Sequence, residues 1–244
     1  MFNIVFISYQ EPNADNNWDN LKSRFPSALR VHGVNGIHTA HKTSAQNVLS
    51  LQTYIQSMIT ENNKLFDTRS YTHFWVVDGD SIVAEDFNFE PSQDLWDDAV
   101  YVYRAQNPVN GLSYGYGGIK LLPVKETANM LINGVDMTTS ISKNFFVVDQ
   151  IASVTNFNTD PFNTWKSAFR ECSKLSSAVI DRQQQQETDA RLDAWCTLND
   201  AVPYGFYSYA GALAGRQYGT DNKNNPEALK KINDFSWLEK QFSS

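Results

Sequence analysis

The chain has 244 residues, a formal net charge of −7, 41% hydrophobic residues with 15 Phe, 11 Tyr and 6 Trp, and two cysteines. That length and apolar content fit one α/β domain with a sizeable core and argue against disorder. The acidic balance argues against indiscriminate polyanion binding, and two cysteines in helix-patterned segments argue against a disulfide framework and point to a reducing cytoplasm.

Residues 2–8 read as a strand, without the basic start or small-residue cleavage site of a leader and too short to cross a bilayer, so no membrane partner is expected. Residues 9–13 form the loop leaving its carboxyl end, where a nucleotide-binding α/β fold commonly meets base and ribose; Ser8, Tyr9 and Glu11 are candidate contacts. Asp15 or Asn16 is placed to cap a helix carrying Trp18, Leu21 and Phe25, which Pro26 closes. A short strand over residues 28–32 runs to Gly33. From Gly36, a further candidate contact, the spacing of Ile37, Ala40, Ser44, Val48, Leu51, Ile55 and Met58 predicts a long amphipathic helix. His41 borders its apolar face, where a core-edge histidine bonded to a backbone carbonyl is favoured over a substrate contact.

Residues 74–77, Phe-Trp-Val-Val, form an unbroken apolar, β-favouring run, as in a strand buried on both faces. It ends at Asp78-Gly79-Asp80. Two carboxylates at the carboxyl end of such a strand suit a divalent cation with oxygen ligands, Mn²⁺ or Mg²⁺, which would in turn hold a diphosphate. Asp-Gly-Asp is also ordinary turn chemistry, but a hairpin would need an equally apolar return strand, and the sequence after Ala84 gives way to Glu85 and Asp86.

Residues 101–104 suggest a strand near the sheet edge, with Arg104 turned to a phosphate or to solvent. Residues 107–123 read as a polar loop, a glycine corner and a strand ended by Pro123. Gly115, Gly117 and Gly118 permit close approach of a ligand there, and Tyr114 and Tyr116 offer flat faces for a sugar or base. Asp160 and Pro161 mark a helix start, and that helix continues through Leu175 with Arg170, Glu171 and Lys174 on its polar side. Residues 187–198 suggest another helix, 204–209 an aromatic stretch, 218–226 a mobile loop and 227–242 a closing amphipathic helix.

The Asp78-Gly79-Asp80 segment resembles the Asp-x-Asp element of GT-A-type glycosyltransferases. Residues 6–18, 30–37 and 165–172, together with the corner at residues 114–118, make the chain similar to a phage-encoded group of them. The resemblance implies a single GT-A-like domain over residues 1–244. Residues 1–104 would form a doubly wound half-sheet holding a nucleotide sugar such as a UDP-sugar, and residues 105–244 a mixed acceptor half. It implies a cation on Asp78 and Asp80, with Asp80 the first choice, and an acid or base among Asp149, Asp160 and Glu171. Ser8, Tyr9, Glu11, Gly36, His41, Arg104, Tyr116, Gly117, Gly118 and Arg170 would contact substrate. Members of that group modify hydroxymethylcytosine, so hydroxymethylated DNA in the host cytoplasm is the acceptor implied. The basic residues Lys22, Arg24, Arg30, His32, His38, His41 and Lys42 would then be candidate phosphate contacts. No histidine follows His73, which mildly favours inversion. A nucleotidyltransferase and a non-catalytic nucleotide- or carbohydrate-binding module are the rival readings.

Overall fold

The computed structural model describes residues 2–61, 72–91, 93–114, 117–132, 134, 136–179 and 184–243. Two compact units divide the chain: residues 1–105, 114–132 and 137–155 form the first, and residues 106–113, 133–136 and 156–244 the second.

The first unit is an α/β layer structure around one mixed sheet. Its elements in chain order are β1 (Asn3–Ser8), α1 (Ala14–Arg24), β2 (Leu29–His32), α2 (Ile37–Glu61), β3 (His73–Asp78), β4 (Ser81–Val83) and β5 (Val100–Gln106). They continue with β6 (Ser113–Tyr114), β7 (Ile119–Pro123), α3 (Val124–Asn129), α4 (Met137–Ile141) and β8 (Phe145–Thr155). The strand order is β2-β1-β3-β7-β5-β8-β4, with β6 paired to β5 off that path. β1 pairs parallel with both β2 and β3, whereas β7 is antiparallel to β3 and to β5.

Alternation along the strands feeds two cores. Ile4 and Phe6 of β1 join Trp75 and Val77 of β3 on one face, where Leu21 of α1 packs. Val5, Phe74 and Val76 point to the other face, which Ala45 and Val48 of α2 cover. Helices on opposite faces of a parallel β2-β1-β3 core are the doubly wound half expected from the sequence. Trp75, wholly buried, meets the rings of Phe87, Phe89 and Tyr103 at 5.0 to 5.5 Å, a geometry favourable to aromatic pairs.

The sequence reading departs from the structure at several ends. α1 begins at Ala14, ahead of Asp15, because the Ala14 amide already bonds the Glu11 carbonyl at 3.0 Å; Asn13 stands at the cap position, and its side chain does not cap the helix. β8 was not foreseen. Its residues are neither cleanly alternating nor continuously buried, so neither strand template fits. The turn at residues 78–80 is no hairpin: β4 follows it at once, yet pairs with β8, Ser81 opposite Thr155.

The second unit is helical apart from its loops: α5 (Pro161–Ser177), α6 (Gln185–Trp195), α7 (Gly205–Asp221), α8 (Pro226–Lys230), a 3₁₀ turn (Lys231–Asn233) and α9 (Phe235–Phe242). α5 opens as expected, with Asp160 accepting the Asn163 amide at 2.8 Å and Pro161 following. α7 overturns the expected loop at residues 218–226, whose first four residues are helical. Its glycines Gly211, Gly215 and Gly219 are poor helix formers, but they fall at i, i+4 and i+8 on one face. A Cβ there would lie 2.2 to 2.3 Å from the carbonyl oxygens of Trp165, Phe169 and Ser173, so α7 forms because α5 packs directly onto its backbone. The closing helix is broken in two because Asn225 and Asp234 each cap a new start, accepting the amides of Ala228 and Trp237 at 3.1 Å. No helix among the described residues is long and apolar enough to cross a membrane.

Candidate functional site

The sequence-named residues of the first unit gather at one end of the sheet. Ser8 pairs with His32 and Ile7 with Asp78 in the parallel registers, and the Asp78 amide bonds the Gly118 carbonyl at 2.8 Å. Val102 lies opposite Lys120 in the antiparallel β5–β7 pair, so continuing that register sets Arg104 against Gly118. Arg104 in turn meets Asp149 of neighbouring β8 at 2.8 Å. Six adjacent strands thus bring His32, Ser8, Asp78, Gly118, Arg104 and Asp149 to one edge, the carboxyl edge of the parallel strands, where open α/β sheets bind ligands.

Asp78 has a partner the sequence reading missed. Lys120 of β7 bonds Asp78 Oδ2 at 2.6 Å, with side-chain exposures of 7% and 29%. Val76, opposite Lys120, and Asp78 lie two residues apart on β3 and so share the face under α2. The signal was a lone cation in the apolar run Ile-Lys-Leu-Leu: a lysine buried in a strand needs a counter-charge. Asp80 is half-buried in the turn beyond, 3.5 Å from the Ser81 hydroxyl.

The turn itself is set by contacts. Asn17 of α1 donates to the Gly79 carbonyl at 2.9 Å. A Cβ on Gly79 would sit 2.8 Å from Glu11 Oε2 and 3.0 Å from the Ile7 carbonyl oxygen. Glu11 Oε2 accepts the Tyr9 amide at 2.7 Å. Glycine at position 79 therefore lets the first loop and the aspartate turn close on each other. A Cβ on Gly118 would collide with Ser81, and one on Gly117 with the Tyr103 carbonyl, so these glycines serve strand packing. Gly36, at φ +89, stands just ahead of α2. Tyr116 and Gly115 lie outside the described residues.

His41 is enclosed, 1% exposed, which excludes it from meeting a substrate in solvent; its Nδ1 bonds the Ile37 carbonyl at 2.8 Å and its Nε2 lies 4.0 Å from Asp78 Oδ1. Burial lowers its pKa to about 4, helped by Lys120 and opposed by Asp78 and the Ile37 carbonyl. The neutral imidazole is the folded form. An unfolded histidine titrates near 6.5, so this stabilisation is complete above pH 6.5 and is lost as pH falls from 6.5 to 4, about 3 kcal/mol in all. Thermal melts without added metal should therefore show the midpoint falling through that window, with a shallower slope for His41→Leu; equal slopes would remove His41 from the acid limb.

The remaining candidates divide by unit. Asp149 is 91% exposed, and three strand spacings, roughly 14 Å, separate it from Asp78, too far to share a cation. Asp160, Arg170 and Glu171 belong to the second unit. Both Asp160 oxygens accept from Asn163. Arg170 donates to the Ile232 carbonyl and to Asn233. Glu171 bridges Lys174 and Arg191; burial would raise its pKa, but those two cations outweigh it and hold the carboxyl below its ordinary value.

Most of the basic residues of the sequence cluster hold the fold. Arg24 donates to the carbonyls of Val83, Ala84, Glu85 and Phe87, Lys22 to Ala28 and Lys42 to Met130. Arg30 binds the Ser8 hydroxyl and Asp15, with its guanidinium 5.8 Å from the ring centres of both Phe6 and Trp18.

Among the described residues no group of three or more His, Cys, Asp or Glu side chains is arranged to hold a metal. The donors at the edge, Asp80 and Asp78 Oδ1, number too few for a resident protein cage. An ion held by these oxygens would have to keep waters or take further oxygens from a ligand. No family model, no curated protein and no solved structure matches the chain.

Proposed function

We propose that the chain is a metal-dependent glycosyltransferase that moves a sugar from a nucleoside diphosphate sugar, such as a UDP-sugar, to a hydroxyl acceptor. The observation that carries this reading is the convergence of Asp78, Asp80, Ser8, Glu11 and Arg104 on the carboxyl edge of a sheet whose first three strands are parallel. The mixed sheet is compatible with the GT-A fold, and the Asp-x-Asp resemblance supplies the chemistry.

In the proposed reaction Asp80 and Asp78 Oδ1 would hold Mn²⁺ or Mg²⁺. When bound, that ion offsets the negative charge that develops on the departing diphosphate. Lys120 fixes Asp78 from the protein side, so the carboxylate needs no reorganisation on binding. Glu11, anchored on the Tyr9 amide, shapes the loop that receives the nucleoside. Arg104, a third exposed, offers a cation farther along the edge for the donor phosphates.

A screen of nucleotide sugars for metal-dependent hydrolysis, comparing the parent with Asp80→Ala, tests the reading, with hydroxymethylcytosine-containing DNA and simple alcohols as acceptor arms. Release of the nucleoside diphosphate that depends on metal and on Asp80 supports it. Release of pyrophosphate would instead indicate a nucleotidyltransferase, although the loop Tyr-Gln-Glu-Pro-Asn after Ser8 lacks the glycines and cations of a phosphate loop. Calorimetric binding without turnover on any acceptor would indicate a binding module.

A further inference from the structure

The two cysteines, 24 positions apart in sequence, are brought together inside the second unit. Cys172 lies on the buried face of α5 with Ala168 and Leu175, packed with Leu192 and Trp195 of α6; Cys196, the residue that closes α6, is half-exposed against the same cluster. The two thiols are near enough to act on each other, and the Arg216 guanidinium of α7 acts on Cys196 as well. Cys172 is thus enclosed, and Cys196 is the more exposed of the two.

We propose that Cys196 is a peroxide-reactive thiolate and Cys172 its resolving thiol, so that oxidation closes a Cys172–Cys196 disulfide between α5 and the end of α6. The charges around the pair favour this division of labour. The neighbouring Cys172 thiol is the largest influence on Cys196; together with Arg216 it outweighs burial and the repulsion of Asp193, lowering the Cys196 thiol to about 6. Burial pushes the Cys172 thiol well up, with Cys196 and Glu171 adding to it and Arg191 opposing. At neutral pH the exposed sulfur is therefore the anion and the enclosed one keeps its proton.

The chemistry balances with a hydroperoxide as oxidant. The Cys196 thiolate attacks the peroxide oxygen, the O–O bond breaks, and sulfenic acid forms with hydroxide as leaving group from hydrogen peroxide. The Cys172 sulfur then attacks the Cys196 sulfur, its proton leaves with the displaced hydroxyl as water, and the S–S bond forms. That bond, about 2.05 Å long, would tie α5 to the end of α6.

The test uses the reduced full-length chain at pH 7 with hydrogen peroxide, read by intact mass and peptide mapping. The parent should lose about 2 Da as a Cys172–Cys196 disulfide forms, and Cys172→Ser should gain about 16 Da as a dimedone-reactive sulfenic acid at Cys196. Cys196→Ser should stay unmodified at the same dose. Should either variant fail to fold, iodoacetamide alkylation of the parent decides: Cys196 is expected to react with a pH midpoint near 6 and Cys172 to stay protected. Equal reactivity of the two thiols, oxidation at Cys172 first, or no disulfide under peroxide would overturn the proposal. None of these readouts depends on sugar transfer.

Discussion

Asp80→Ala is expected to reduce metal-dependent turnover of the sugar nucleotide by at least about 10³-fold, the scale of several kcal/mol of lost charge stabilisation in the transition state. Stability should barely move, with a thermal midpoint within about 2 °C of the parent, because Asp80 is half-exposed in a turn and the glycine beside it carries the packing. Asp78→Asn should behave differently. It leaves the Lys120 ammonium, 7% exposed, without its carboxylate, and the partly buried pair makes a loss of about 2 kcal/mol reasonable. Turnover and stability would fall together. Comparing the two variants separates a proposed cation ligand from a residue that also holds the sheet, and full turnover by the Asp80→Ala variant would remove the turn from the proposed mechanism.

Gly215→Val should destabilise the second unit by about 3 kcal/mol or more. Valine is the better helix former by a few tenths of a kcal/mol, so propensity alone predicts a gain. The contact reverses the sign: a Cβ at position 215 would lie 2.2 Å from the Phe169 carbonyl oxygen and 2.8 Å from its carbon, and backbone atoms cannot rotate away. Separating α5 from α7 also forfeits the 3.2 Å bond from the Ser173 hydroxyl to the Gly215 carbonyl and loosens the matching contacts at Gly211 and Gly219. Urea unfolding would show the loss as a lower midpoint, whereas Leu213→Ala, on the exposed side of the same helix at 42% exposure, should change little. Equal effects for the two would mean that the helices are not held backbone to backbone.

The parts of the fold that were legible in the sequence are those whose cause is local. β3 carries four consecutive apolar residues and stops at Asp78, one glycine before Asp80, α2 carries its period over 25 residues, and α5 announces itself with Asp160 and Pro161. The candidate cation turn was legible for the same reason. What stayed hidden depends on partners distant in sequence. Lys120 finds Asp78 across 42 positions, and Glu171 finds Arg191 across 20. α7 was obscured because its glycines weaken the local helical signal while making the tertiary contact with α5 possible. The cap at Asp160 was legible from the Asp-Pro pair, whereas residue type alone does not show that Glu171 lies between two cations.

Crystals of the protein soaked with Mn²⁺ and UDP, examined at the manganese absorption edge, should show whether the aspartate turn grips a cation. An anomalous peak is expected bonded to the Asp80 carboxylate and to the diphosphate, at the carboxyl end of β3, with Lys120 still on Asp78. UDP bound with no manganese at that turn, or manganese held elsewhere while Asp80 faces solvent, would contradict it.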